Sequence, residues 1–245
     1  MDIERIVARV TEEVYAQLGR QAAPQKSASE LAGTIEHSLL NPDASADFIR
    51  KGCEEAKKYG FANVCVSPYY VSMAAGLLRG SGVAVCTAVG FPHGAASTKA
   101  KCAEIRECIM NGATELDVSM MITAVKSGDF EGARKDLLEM VSVAGGRAKI
   151  KAIYEQGLLT DDEKQRALGI AVQCGVDFIK ISNALTGKKA CSEDVRFVRS
   201  VIGDKTGIKI DGGIKDAKFV RELMAAGAQR FGCSASVSIV TEQAK

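Results

Sequence analysis

Eight short apolar runs punctuate this chain, and the segments between them carry helical periodicity. The runs are TIEHSL (34–39), FANVCVS (61–67), GVAVCTAV (82–89), ATELDVSM (113–120), KIKAIYE (149–155), VDFIKIS (176–182), GIKIDG (207–212) and QRFGCSA (229–235). Each is short, rich in β-branched residues and bounded by polar or glycine-containing stretches, which is the pattern of a buried strand. DFIRKGCEEAKKYG (47–60) and DAKFVRELMAAGA (216–228) are examples of the amphipathic helices between them. NGA (111–113), CGV (174–176) and AGA (226–228) each put a glycine at a helix end, just before a strand. Eight strands alternating with helices at the repeat length of a βαβ unit predict a single (β/α)₈ TIM barrel. A doubly wound open sheet competes, but it usually carries a glycine-rich dinucleotide turn after its first strand. None follows residue 39 here, and the GSG at 80–82 precedes a strand and reads as a plain turn.

The barrel is assigned to residues 31–245. Ahead of it, residues 1–19 form an amphipathic pattern, with Ile3, Ile6, Val7, Val10, Val14 and Leu18 on one helical face. RQAAPQKSAS, within the linker assigned to 20–30, is small, polar and broken by Pro24. A lone helix of this length is marginal in water, so its apolar stripe needs a partner.

Bulk properties exclude several classes. A formal charge of +2, zero Trp and no long basic run give no footprint for nucleic acid. No apolar stretch is long enough to span a bilayer, and the charged start MDIERIVARV does not read as a secretory signal. The eight cysteines contain no C-x-x-C pair, so they read as small buried hydrophobes in a reducing cytosol. With only His37 and His93, and no H-x-x-x-H, the expectation is no metal.

In barrels of this architecture the chemistry sits at the C-terminal ends of the strands. Those ends carry Glu36, His37, Cys65, Asp117, Glu155, Lys180, Lys209, Asp211 and Ser234. Lys180 and Lys209 occupy matching points of successive apolar runs, where an unpaired ammonium group is costly. Two buried lysines with carboxylates nearby suit amine catalysis, because a neutral amine attacks carbonyls. On this reading burial and the second cation push the first amine toward its uncharged form. The plainer alternative is that each lysine reaches solvent or simply pairs with a carboxylate such as Asp117.

The runs EHSLL, KKYGFANVCVSPYYV, LLRGSGVAVCTAVGFPHG, KAKCAEIRECIMNGATELDVSM, KIKAIYE, GVDFIKIS, IKIDGGI and GAQRFGCS occur in order between about residues 34 and 240. Together they resemble the deoxyribose-phosphate aldolase family, class I aldolases built on one (β/α)₈ barrel. The resemblance implies that Lys180 forms a Schiff base, that Lys209 tunes it and that Asp117 relays protons, with no cofactor beyond the covalent lysine imine. It places substrate or phosphate contacts at Gly212, Gly213, Ser234, Ser182, Asn183 and Lys188, with Glu36, Cys65 and Asp211 bordering the site. His93 reads as a hydrogen-bonding residue of its loop.

The chain departs from the family where substrate is held. Glu36 stands where Asp is usual, Ser182–Asn183–Ala184 replaces the small turn after the nucleophile, and Asp211 replaces a serine ahead of Gly212. A carboxylate beside a phosphate is repulsive. Other readings therefore stay open: a class I aldolase or lyase for a different sugar phosphate or aldehyde pair, a sugar-phosphate isomerase, or a non-catalytic assembly module. Residues 1–19 resemble the encapsulation peptides of bacterial microcompartment cargo, which implies a shell protein as partner and a cytoplasmic enzyme inside such a shell. The other candidate partner is a second subunit in a homo-oligomer, expected to be a dimer.

Overall fold

The computed structural model describes residues 31–242. The segment assigned to the N-terminal helix and the whole linker lie outside them. Eight parallel strands close into a barrel in sequence order. They are β1 (Ile35–Leu39), β2 (Asn63–Val66), β3 (Ala84–Val89), β4 (Glu115–Ser119), β5 (Lys149–Glu155), β6 (Phe178–Ser182), β7 (Gly207–Asp211) and β8 (Arg230–Cys233). All eight fall within the predicted runs, and β8 returns to pair with β1, so no sheet edge is left open.

Helices occupy the connections: α1 (Ala46–Tyr59), α2 (Val71–Leu78), α3 (Thr98–Met110), α4 (Ile122–Lys126), α5 (Phe130–Ala144), α6 (Asp161–Gln173), α7 (Ser192–Ile202), α8 (Ala217–Ala225) and α9 (Ser236–Thr241). Their starts follow from side-chain capping. Ser45 accepts from the Phe48 amide to open α1, and Thr160 and Glu163 form a reciprocal capping box at α6. The predicted helix-end glycines Gly112, Gly175 and Gly227 have φ of 103°, 75° and 114°. The last of these explains why α8 stops at Ala225 although its apolar pattern runs on.

The strands alternate. One face of each joins the hydrophobic core between barrel and helices, for example Leu116 and Val118, Ile150 and Ala152, Ile179 and Ile181, Ile208 and Ile210. The other face points into the barrel, and there the sequence is charged: Glu115 and Asp117, Lys151, Lys180, Lys209. Outside the barrel, Lys101 of α3 is fully buried with Asp136 of α5 at 2.7 Å. Lys101 Nζ also donates to the Gly94 carbonyl at 3.1 Å, tying the β3–α3 loop down. Gly94 is obligatory in that loop, since a Cβ there would lie 2.0 Å from the Met120 carbonyl oxygen. Seven of the eight cysteines are buried and all eight are free. No helix among the described residues is long and apolar enough to cross a membrane.

Candidate active site

Parallel pairing aligns Lys180 on β6 directly with Lys209 on β7. Both side chains turn inward and are nearly inaccessible to solvent. They converge on one oxygen: Asp117 Oδ2 accepts from Lys180 Nζ at 2.9 Å and from Lys209 Nζ at 2.6 Å. Lys180 also pairs with Asp211 Oδ2 at 3.0 Å, and Lys209 makes a short contact with Glu36 Oε2. The Lys180 ammonium lies 5.5 Å from the ring centre of Phe91, in the β3–α3 loop just before a cis Pro92.

A third lysine was missed from the sequence. Lys151 of β5 is fully buried, 2.8 Å from Glu36, 2.6 Å from Glu115 Oε2 and 3.4 Å from Asp117 Oδ1. Arg230 at the start of β8 closes the array against Glu36 and Glu115 at 3.6 and 3.4 Å. Asn63 donates to Glu115 Oε2 at 2.6 Å, and the Cys86 thiol to Asp117 Oδ1 at 3.3 Å. Four cations, Lys151, Lys180, Lys209 and Arg230, thus face four carboxylates, Glu36, Glu115, Asp117 and Asp211. Burial of each charge alone would be expensive, but a balanced, hydrogen-bonded array offsets that cost. Signals for Lys151 and Glu115 were present, since KIK and ELD place charges at alternate positions of apolar strands.

The array sets the charge states. Burial is the largest influence on Lys180 and favours the neutral amine, and Lys209 acts in the same direction. The attraction of Asp117 and Asp211 outweighs both, so the Lys180 pKa is raised and its resting form is the ammonium. This corrects the sequence expectation of an uncharged amine at rest: Lys209 does oppose the charge, but two carboxylates overrule it. For Lys209 burial likewise pulls down, and Asp117 and Glu36 lift the value well above the ordinary lysine range. Burial raises Asp117, yet Lys180, Lys209 and Lys151 together hold it well below the usual carboxylate range. Glu36 behaves alike, burial opposing and Lys209 and Lys151 prevailing, and falls to about 2.

At the barrel mouth a cavity of about 600 Å³ opens over β7, β8 and β1. Asp211, Gly212, Gly213, Lys215 and Ser234 line it, so three of the predicted phosphate contacts come together there. Gly212 and Gly213 adopt φ of 109° and 74°, a turn that side-chain-bearing residues rarely follow. Lys188 does not line this cavity: its ammonium is held 3.0 Å from both oxygens of Asp194. The 188–190 backbone instead packs under the turn, Ala190 N donating to the Gly212 carbonyl at 2.9 Å. Lys215, overlooked in the sequence, supplies a cation to the lining.

The other predicted residues are distributed as follows. Ser182 is buried and caps its own loop, accepting from Ala184 N at 3.3 Å. Asn183 is also buried, and neither atom of its side-chain amide has a partner among the described residues. Such an orphan usually serves a ligand or a water. Cys65 is buried beside Cys86, whose hydrogen bond lowers its pKa against the effect of burial. His37 turns away from the lysines, bonding Ser236 Oγ at 2.9 Å and Glu55 Oε2 at 3.2 Å. Glu155 accepts from Leu185 N at 3.0 Å. His93 lines a separate apolar cavity with Ile122, Leu158 and Leu185.

Two three-donor groups could in geometry hold a metal ion, Glu36–Cys86–Glu115 and Cys65–Cys86–Asp117. Lys151 already occupies the first, contacting Glu36, Glu115 and Cys86, and Lys180 and Lys209 already engage Asp117. The donors therefore fit resident ammonium groups and not a cation from solution.

A sequence-family model described as DeoC/LacD family aldolase matches residues 34–237. The deoxyribose-phosphate aldolase of Bacillus mycoides (strain KBAB4) is 42% identical over 215 residues, covering 88% of this chain and 96% of that protein. A deoxyribose-phosphate aldolase of Bacillus cereus (strain B4264) matches at the same identity and coverage. Among solved structures, the aldolase QR15 superposes with a TM-score of 0.82 at 31% identity, over 86% of this chain and 95% of that one. The tetrameric deoxyribose phosphate aldolase of Aeropyrum pernix gives 0.82 at 28% identity, over 88% and 92%. With the barrel, its paired lysines and these relatives in agreement, the chain belongs to the DeoC/LacD aldolase family and is a carbon–carbon lyase.

Proposed function

We propose that this enzyme is a class I deoxyribose-phosphate aldolase, with Lys180 as nucleophile and with Lys209 and Asp117 as its proton-handling partners. The observation that carries the reading is the shared oxygen: Asp117 Oδ2 touches both ammonium nitrogens, beside a cavity lined by Gly212, Gly213 and Lys215. In the cleavage direction the free amine of Lys180 adds to the aldehyde carbon of open-chain 2-deoxy-D-ribose 5-phosphate. Loss of water leaves an iminium. A base removes the C3 hydroxyl proton, the C2–C3 bond breaks, and its electrons flow into the iminium to give an enamine. Glyceraldehyde 3-phosphate departs. The enamine takes a proton at C2, and water releases acetaldehyde and the amine.

Because Lys180 rests as the ammonium, deprotonation is part of the reaction. Even at the ordinary lysine value of about 10.4, the neutral amine is a small minority at neutral pH. Asp117, bonded to both nitrogens, links Lys180 to Lys209 for the proton transfers of carbon–carbon cleavage. Gly212, Gly213, Ser234 and Lys215 hold the phosphate by backbone N–H donors, a hydroxyl and a charge. The orphaned amide of Asn183 provides a further polar contact for substrate, and no metal or organic cofactor is needed.

The test is release of acetaldehyde and glyceraldehyde 3-phosphate from 2-deoxyribose 5-phosphate. The wild-type protein should turn over, and Lys180→Leu should lose activity by at least about a thousandfold, since it removes the covalent route. Turnover that survives in Lys180→Leu would sink the reading. A second substrate reading rests on Asp211. Its carboxylate lies on the cavity beside Gly212, which disfavours a phosphate and favours an aldehyde pair lacking one. Comparing phosphorylated and unphosphorylated 2-deoxyribose as substrates separates the two.

For residues 1–19 the proposal is an encapsulation helix that binds a microcompartment shell by its apolar stripe, with the enzyme cytoplasmic within that shell. Homo-oligomerisation of the barrel, as a dimer, is proposed alongside it. Deleting residues 1–25 should leave solution activity unchanged and abolish co-localisation with shell protein. A falling melting temperature would point instead to docking on the barrel or on a second subunit.

A further inference from the structure

Lys180 is held between two carboxylates of different character. Asp117 lies inside the barrel, wholly buried, and is shared among Lys180, Lys209, Lys151 and Cys86. Asp211 lies on the cavity side, its side chain 24% exposed, and among the described residues its ion-pair partner is Lys180. A Cβ at Gly232 would lie 3.0 Å from Asp211 Cβ, so the glycine of β8 leaves the room that the Asp211 side chain uses. Of the four carboxylates in the array, only Asp211 also lines the cavity.

Resting on the imine route above, we propose that Asp211 is a further catalytic residue of this enzyme, the acid–base group of imine formation, leaving Asp117 and Lys209 to serve carbon–carbon cleavage. One proton is carried through the step. Asp211 takes it from the Lys180 ammonium at 3.0 Å, giving a neutral amine and a carboxylic acid. The amine forms its bond to the aldehyde carbon, and the nitrogen proton passes to the carbonyl oxygen to give a carbinolamine. Asp211 then donates its proton to that hydroxyl, which leaves as water while the C–N double bond forms. The iminium and the Asp211 carboxylate restore the charges present at the start. The same group, on the exposed side, can accept the proton again when water attacks the iminium to release product.

The two roles open to Asp211 predict opposite signs. If the carboxylate only holds Lys180 charged, removing it frees the amine and speeds trapping of aldehyde. If it carries the proton, removing it slows trapping despite the freer amine, since a positioned acid–base group contributes about 10²–10⁴-fold. The experiment is the rate at which acetaldehyde with borohydride modifies Lys180 at neutral pH, in wild type, Asp211→Asn, Asp211→Ala and Asp211→Glu. Expected are losses of about 10–100-fold in the Asn and Ala variants, partial recovery in the Glu variant, and acceleration of Asp211→Ala but not wild type by sodium formate. Trapping in Asp211→Asn and Asp211→Ala as fast as wild type, or faster, would overturn the proposal while leaving the imine route intact. A wild-type protein that traps no aldehyde at Lys180 would overturn the imine route itself, and this proposal with it.

Discussion

Lys180 and Lys209 face each other across adjacent parallel strands, and their ammonium nitrogens share a single acceptor, Asp117 Oδ2, at 2.9 and 2.6 Å. Two cations on one oxygen are tolerable only because Asp211 and Glu36 each take up one of the remaining sides. The site is consequently a neutral block of alternating charges, and any single substitution leaves a buried group unmatched.

Lys209→Met leaves Glu36 and Asp117 short of a cation. Breaking one member out of a buried array costs about 3–5 kcal/mol. Urea unfolding should register a loss of that order, and turnover should fall as well. A Lys209→Met protein with wild-type stability and rate would show that the contacts to Glu36 and Asp117 carry little weight.

Stability should decline on the acid side through Glu36. Its folded pKa of about 2 lies below the unfolded value of about 4.5. The unfolded chain therefore binds the proton first, and stability present above the unfolded value is lost as pH falls toward the folded one. The stake is about 3 kcal/mol. Asp117, lowered by the same lysines, adds in the same direction. Urea midpoints measured downward from about pH 6 should fall, with a shallower fall in Glu36→Gln.

Away from the chemistry, Lys101→Met should be strongly destabilising. It strands Asp136 and releases the Gly94 carbonyl, at a cost of about 3–5 kcal/mol. The double variant Lys101→Met/Asp136→Leu should recover much of that loss, since apolar replacement of both partners is often neutral. Thermal unfolding of the two variants checks the order.

Two surface lysines should separate by function. Lys215 lines the cavity and Lys188 is tied to Asp194. Lys215→Ala should raise KM for the phosphorylated sugar about tenfold, as loss of one charge-assisted hydrogen bond does, while Lys188→Ala should change it by less than about twofold. Equal effects would mean that the phosphate lies nearer the 186–189 loop.

The barrel was legible because β-branched runs, capping residues and helix-end glycines all report local geometry. Lys180 and Lys209 stood out for the same reason, a charge inside an apolar run. Lys151 obeys that rule too and was passed over, because KIKAIYE also carries Lys149, which is exposed and makes the run look amphipathic. What the sequence could not disclose was the state of the nucleophile. Asp117, Asp211, Glu36 and Lys209 come from three strands, β4, β7 and β1, and only their distances decide whether a neighbouring cation or two carboxylates govern Lys180. Lys188 misled for a related reason: its backbone does lie against the glycine turn, but Asp194, on the following helix, claimed the side chain.

The most direct measurement is a peptide map after acetaldehyde and borohydride treatment. A single N-ethyl group, carried by residue 180 and missing when that position is leucine, is the predicted result. Label spread across exposed lysines, or seated on residue 151 or 209 instead, would contradict the account at its centre.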